Sequence, residues 1–343
     1  MSTPEENPRP TPVDVPLIRV GAPAPAAGGC GDGCGCGDGE EYEECGLDPA
    51  LARLLAESGL DPIQVEDIAH LAITEDLDGG VDVTTVATVA EDAVAIGDFT
   101  AREAGVVAGL RVAEAVLSIV CTSEFEVERH VEDGDRVAPG QKLLTVTTGT
   151  RDLLTGERSA LNLLCRLSGI ATATRAWADV LEGTGAKVRD TRKTTPGLRA
   201  LEKYAVRCGG GVNHRFSLSD AALVKDNHVI AAGGVAEAFK RVREEFPELP
   251  IEVEVDTMDQ VAEVLEAGAD LILLDNFTPA ETAEAVALTG GRAFLESSGR
   301  LTLDSARAYA EAGVDYLAVG ALTHSSPILD IGLDFRDADG AGA

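Results

Sequence analysis

The sequence predicts an α/β protein, with a strand–helix repeat in its second half and a smaller mixed α and β domain before it. Two observations carry this reading. After Lys187, short apolar runs each end in a polar or glycine residue, and from Glu254 the intervals to Asp275, Glu296 and Gly320 are 21, 21 and 24 residues. That pitch is one strand plus one helix, so the strands run parallel with right-handed crossovers. Residues 91–150, by contrast, alternate short apolar runs with turns and show no such period. The repeated strands read as near-continuous apolar runs, as expected when both faces are covered. Six such units either close as a barrel or stay open as a doubly wound sheet, and the period alone does not choose.

Composition narrows the function classes. At 343 residues with 45% hydrophobic content the chain has room for two cores. Aromatics make up 4% and the formal charge is −31; both argue against a nucleic-acid reader or an anionic-membrane binder. No apolar run approaches the roughly 20 residues needed to span a bilayer. The first residues lack the basic-then-apolar pattern of a secretory signal. A cytoplasmic enzyme is the expectation.

Taken in order, residues 1–46 read as a disordered acidic tail, Pro-rich and then Gly-rich, unable to bury enough apolar surface. It carries Cys30, Cys34, Cys36 and Cys45 as C-x3-C-x-C-x8-C, which departs from the paired C-x2-C knuckles of structural zinc sites. Whether these thiols hold a metal stays open. Cys121, Cys165 and Cys208 read as scattered buried thiols of a reducing compartment.

Residues 47–155 form the predicted N-terminal domain. Leu47, Leu51, Leu54 and Leu55 have helical spacing, as do Val65, Ile68, Ala69 and Ala72 after Asp61-Pro62; Asp78-Gly79-Gly80 ends the second helix. The rhythm of 131–146, VEDGDRVAPGQKLLTV, is like half of a biotinyl or lipoyl carrier domain. Lys142 nevertheless sits inside a strand-like run rather than at a hairpin tip, so the segment is expected to be structural. Residues 152–182 read as a helix with Leu153, Leu154, Leu161, Leu164, Leu167 and Ile170 on one face, and Gly169 as a possible interruption. On spacing alone, its Arg158 and Arg166 read as solvated surface.

Residues 156–323 hold the repeat. Between Lys187 and Arg215 lie eight Lys or Arg against two acids, an inversion of the chain's overall sign that suggests a pocket for a small polyanion. Thr194-Thr195-Pro196-Gly197 and Gly209-Gly210-Gly211 intervene, where backbone can approach a ligand. If the strand ends share one mouth, Arg192, Lys193, His214, Arg215 and Lys225 supply cations there, and Glu254 and Asp275 supply carboxylates. Gly299 and Gly320 open turns whose N–H groups can hold phosphate. Such a set suits an anionic substrate beside a phosphorylated, Mg²⁺-bound one. An ion pair of Glu254 or Asp275 with Lys225 is the plainer alternative.

The runs T-R-K-T-T-P-G-L-R, E-K-Y-A-V, G-G-G with H-R, L-V-K-D-N-H, L-L-D-N-F, E-S-S-G and V-G-A-L-T resemble the quinolinate phosphoribosyltransferases, also called nicotinate-nucleotide pyrophosphorylases (carboxylating). The resemblance extends from about Leu47 to Phe335 and includes G-E-R-S-A-L-N. It implies an incomplete six- to seven-stranded α/β barrel joined to an N-terminal α/β sandwich domain, with residues 324–343 returning to the sandwich before a disordered end. The implied reaction joins quinolinate to phosphoribosyl pyrophosphate in de novo NAD biosynthesis. Carried over by motif, Arg192, Lys193, His214, Arg215 and Lys225 would surround the quinolinate carboxylates. Thr191 would accompany them, and Arg158 would reach in from a second subunit of a homodimer or higher homo-oligomer. Glu254 and Asp275 would face the ribose and Mg²⁺-pyrophosphate, with Mg²⁺ the cofactor and Lys193, Lys225, Glu254 and Asp275 the catalytic set. Ser298, Gly299, Arg300, Val319, Gly320 and Ala321 would hold the 5′-phosphate. Rival readings are a molybdenum-locus pyrophosphorylase-like paralogue, a Schiff-base lyase using Lys225, and a non-catalytic ligand- or metal-binding protein that uses the cysteine tail.

Overall fold

In the computed structural model, residues 45–122 and 124–337 are described. The predicted 1–46 tail therefore lies almost wholly outside the described residues, with Cys30, Cys34 and Cys36. The elements in chain order begin with α1 (Pro49–Glu57), α2 (Pro62–Leu77), α3 (Val83–Thr88), β1 (Val94–Ala101), β2 (Gly105–Val106) and α4 (Leu110–Val120). There follow β3 (Glu126–Arg129), β4 (Arg136–Val137), β5 (Lys142–Gly149), α5 (Thr150–Leu181), β6 (Lys187–Arg189) and α6 (Arg199–Cys208). Next come β7 (Ala222–Val224), α7 (Asp226–Ala232), α8 (Val235–Glu245), β8 (Ile251–Val255), α9 (Met258–Glu266) and β9 (Leu271–Asp275). The last are α10 (Pro279–Thr289), β10 (Phe294–Ser298), α11 (Leu303–Ala312), β11 (Tyr316–Ala318), α12 (Ala321–His324) and β12 (Ile331–Asp337).

The chain divides into two compact units. One comprises, of the described residues, 45–173, 195–210 and 325–337; the other comprises 174–194 and 211–324. The first is built on an antiparallel sheet of order β12-β1-β5-β3, with α1 and α2 packed on α4. Asp48 and Asp61 cap α1 and α2, each followed by proline in the first turn. Asp78, at φ 47°, takes the left-handed conformation that ends α2. β12 pairs antiparallel with β1, from Ala101↔Ile331 to Ala95↔Asp337. Lys142 opens β5 and lies 2.6 Å from the Asp98 carboxylate of β1, so the carrier-like segment is structural: its β5 belongs to this sheet, and its β4 pairs with β2 in a separate two-stranded one. α5 runs unbroken through Gly169. Of Cys121, Cys165 and Cys208, only Cys165 is buried; the other two are half-buried.

The second unit is a parallel sheet of order β6-β11-β10-β9-β8-β7. Three of its crossover helices start with threonine caps: Thr257 on α9, Thr278 on α10 and Thr302 on α11, each accepting the N–H three residues on. Outward strand positions such as Val253, Val255, Ile272 and Leu274 are fully buried under these helices. Among the described residues no ladder joins β6 to β7, and a single parallel bridge, Arg189↔Val212, extends the β6 edge. This is the incomplete barrel, with six strands. No described helix is long and apolar enough to cross a membrane.

Candidate active site

Six strands laid flat would put the ends of β6 and β7 about 24 Å apart, at the ordinary inter-strand spacing. They are far closer, because Val212 bridges the outer edge of β6 and His214, two residues on, lies 2.7 Å from Glu252 of β8. The strand ends therefore meet at one rim. Lys225 Nζ lies 2.8 Å from Glu254 Oε2, so the ion pair considered from the sequence is present. Asp275 is half-buried and accepts from the Asn276 side-chain amide at 2.7 Å. Burial, with Glu254 and Asp256 beside it, raises its pKa against the pull of Lys225 and Lys193. A carboxylate so placed favours a cation arriving next to it.

On the β6 side of the mouth, Thr191 Oγ1 accepts the Lys193 N–H at 3.0 Å, and the Lys193 carbonyl accepts from Thr323 Oγ1 at 2.8 Å. A Cβ added to Gly320 would sit 2.8 Å from Lys193 Cδ and 3.4 Å from Thr191 Oγ1. Glycine is needed there for backbone and side chains to meet. Gly299 is likewise obliged: its φ is 91°, and a Cβ would fall 2.3 Å from Asn276 Oδ1. Ser298 accepts the Asn276 N–H through its carbonyl, Arg300 is exposed with φ 51°, Val319 is buried, and Ala321 begins α12.

Arg215 is 8% exposed. Its Nη1 donates to the Ala221 carbonyl at 2.9 Å, while its Nε is buried and has no partner among the described residues. Arg192 Nε is also buried without a partner. Burial and the neighbouring Arg192 lower the Arg215 pKa, opposed by Asp220 and Glu252. Two guanidiniums repelling each other with donors unspent form an acceptor site for anions, bidentate carboxylates above all.

Beneath this pair lies a buried ionic layer. Arg189 Nη1 donates to Glu296 at 2.8 Å, and His214 Nε2 lies 2.7 Å from Glu252. Asp190 accepts from the His214 backbone N–H at 2.8 Å and from the Asn213 amide at 2.5 Å. His214 Nδ1 accepts the Arg215 N–H at 2.7 Å. Glu252 and Glu296 are almost wholly buried. Burial would raise the Glu252 pKa, but His214, Arg189 and Arg215 outweigh it and lower it. For Glu296, burial and the Glu252 charge prevail and raise it.

The rim and this layer thus gather Thr191, Arg192, Lys193, His214, Arg215, Lys225, Glu254, Asp275, Ser298, Gly299, Arg300, Val319, Gly320 and Ala321 within one unit. Arg158 belongs to the other unit, exposed on α5. So do Arg199, Lys203 and Arg207 of the basic window: they lie on α6, where Lys203 is fully buried. The basic window is therefore two structures, not one patch. Arg166, expected to be solvated, instead pairs with the fully buried Glu202 at 2.9 Å and donates to the Ser326 carbonyl. Sequence reasoning passed over Arg189, Glu252 and Glu296 as interior groups. For Glu252 the signal was the alternation in Ile251-Glu252-Val253-Glu254-Val255, which turns both glutamates to the face opposite the helices.

A curled parallel α/β sheet whose mouth joins unspent guanidiniums to carboxylates and glycine turns defines a barrel enzyme acting on anionic substrates. Residues 82–168 match the family model for the N-terminal domain of quinolinate phosphoribosyl transferase, and residues 170–334 match that for its C-terminal domain. The chain belongs to the quinolinate phosphoribosyltransferase family. Nicotinate-nucleotide pyrophosphorylase (carboxylating) of Mycobacterium leprae is 56% identical over 272 residues, covering 78% of this chain and 96% of that protein. The mitochondrial quinolinate phosphoribosyltransferase (decarboxylating) 2 of Nicotiana glauca is 40% identical over 288 residues, covering 78% and 81%. The crystal structure of NadC from Streptococcus pyogenes superposes with a TM-score of 0.78 at 40% identity, covering 82% of this chain and 99% of that one.

Proposed function

We propose that this protein condenses quinolinate with phosphoribosyl pyrophosphate, giving nicotinate mononucleotide, pyrophosphate and CO₂ in NAD biosynthesis. Family membership supports the reaction. The observation that carries the choice of a dicarboxylate is the pairing of buried Arg215 with half-buried Arg192, each with a buried, unspent Nε–H among the described residues. One substrate carboxylate can satisfy one guanidinium; a second unmatched guanidinium would remain costly to bury, so two carboxylates are favoured over one. Lys193 and Lys225 complete the cationic wall.

Glu254 and Asp275 then face the ribose. Departure of pyrophosphate develops positive charge at the ribose C1, which nearby carboxylates stabilise as it forms. The raised Asp275 pKa, set by burial and by Glu254 and Asp256, fits a Mg²⁺ site of hard oxygen donors, met directly or through water. The ion would supply charge neutralisation for the diphosphate. Gly299 and Gly320 leave backbone open to the 5′-phosphate, with Ser298, Arg300, Val319 and Ala321 around it. Once the ring nitrogen is glycosylated it is cationic. Its positive charge stabilises the electron pair left on the adjacent ring carbon when the carboxylate there departs as CO₂, and that carbon then takes up a proton. Arg158, exposed on α5, would complete the site of a second copy in a homodimer.

Incubation with quinolinate, phosphoribosyl pyrophosphate and Mg²⁺, with CO₂ release followed and nicotinate run in parallel, tests the reading. CO₂ from quinolinate and no product from nicotinate is the expected result. Conversion of nicotinate but not quinolinate would overturn it.

A further inference from the structure

His214 stands in the run of cations that the motif supplies, yet its geometry is not that of a cation offered to a ligand. It is 8% exposed, and each ring nitrogen already faces a protein group. Nδ1 receives the Arg215 backbone N–H at 2.7 Å. A nitrogen that accepts a hydrogen bond has its lone pair there and carries no proton. The ring proton is therefore on Nε2, which lies 2.7 Å from a Glu252 oxygen and donates to it. The ring is a neutral imidazole with both ends committed.

The same reasoning removes a competing interpretation. His214, Glu252 and Glu296 bring their donor atoms within 4.8 Å of one another in a buried place, as a cation site would. A histidine that binds metal through Nε2 needs its lone pair at that atom, with the proton on Nδ1. Here Nδ1 faces an N–H and cannot hold one. Arg189 moreover already donates to Glu296 at 2.8 Å.

We infer that His214 is a positioning residue, a neutral link from Glu252 to the Arg215 backbone that aims the Arg215 guanidinium, and does not itself meet a substrate carboxylate. Three contacts then set the backbone on which Arg215 stands: Asp190 on the His214 N–H, His214 Nδ1 on the Arg215 N–H, and Glu252 holding the ring. Among the described residues, the guanidinium has only the Ala221 carbonyl to steady its far end, so its aim depends on the backbone below. The part played toward quinolinate rests on the proposed function; the tautomer does not.

The test uses full-length protein labelled with ¹⁵N at histidine, with the His214 signals assigned by their loss in His214→Asn. At neutral pH, Nδ1 should resonate as an unprotonated nitrogen and Nε2 as a protonated one, both without ligand and under saturating quinolinate. Protonation of both nitrogens in either sample, or a proton on Nδ1, would overturn the inference. Kinetics supply the second arm. In His214→Asn, Oδ1 falls near the place of Nδ1 and still accepts the Arg215 N–H; His214→Leu has similar bulk and no acceptor. Quinolinate KM should rise about tenfold in the first and about a hundredfold in the second. KM for phosphoribosyl pyrophosphate should stay within about twofold in both. Equal losses in the two variants would overturn the inference. If wild-type protein fails to turn over quinolinate, the proposed function fails, while the ligand-free spectrum still decides the tautomer.

Discussion

Arg215 carries its charge where water contributes little, 8% exposed and beside a second guanidinium. Its planar fork, not its charge alone, is what a carboxylate would meet. Arg215→Lys keeps the charge and loses the fork, so kcat/KM for quinolinate should fall about a hundredfold, the scale for a desolvated charge partner. Wild-type kinetics in that variant would reject a bidentate role. Residues of this kind are legible in a sequence because several charges within a few positions of glycine are unusual in so acidic a chain. Arg189, Glu252 and Glu296 are less legible, because strands such as Ile251–Val255 read as near-continuous apolar runs. Their apolar members pack outward under helices, and the inward face of a small barrel can hold charge only where opposite charges lie within reach, as Arg189 and Glu296 do at 2.8 Å. That condition depends on residues 107 positions apart, and no local window contains it.

At the scale of the element, α5 is the instructive case. Gly169 in a helical pattern reads as a break, since glycine costs about 1 kcal/mol against alanine in a helix interior. The helix instead continues, and the glycine serves its neighbour: a Cβ there would lie 2.1 Å from the Pro327 carbonyl oxygen and 2.8 Å from Ile328 Cα. Propensity alone predicts that Gly169→Ala stabilises the protein. Packing predicts the opposite, a loss of about 2 kcal/mol, because the atoms met are backbone. The shift in urea midpoint gives the sign, and a gain in stability would show that the 327–328 segment yields freely. α6 carries the complementary lesson. Arg199, Lys203 and Arg207 enlarge the basic window in the sequence, yet Lys203 is fully buried and Arg207 donates to the Ser58 carbonyl at 2.9 Å. The strand–helix period, in contrast, is readable to within a few residues, because β8, β9 and β10 are each followed by a Thr-capped helix.

For the molecule as a whole, the N-terminal unit's sheet is joined across three strands at one carboxylate. Asp98 of β1 lies 2.6 Å from Lys142 of β5 and 3.5 Å from Arg336 of β12, and accepts from Thr145 at 2.6 Å. Burial would raise its pKa; Lys142, Thr145 and Arg336 outweigh that and lower it. The folded value lies below the unfolded one, about 3.9. The stabilisation is therefore complete above that value and lost as pH falls from it through the folded pKa. The stability difference between wild type and Asp98→Asn should shrink between about pH 5 and about pH 3; a constant difference across that window would show that Asp98 is not the group concerned. The same sheet has a consequence for synthesis. Ala101 pairs with Ile331, 230 positions later. At ribosomal rates of about 5–20 residues per second, roughly 10–50 s separate the two. Once β5 (Lys142–Gly149) has followed, β1 has it on one side and, for the rest of that interval, an uncovered edge on the other, of the kind that recruits foreign strands. The nascent chain must therefore be shielded, or its first sheet must wait, until the strand that closes it leaves the ribosome.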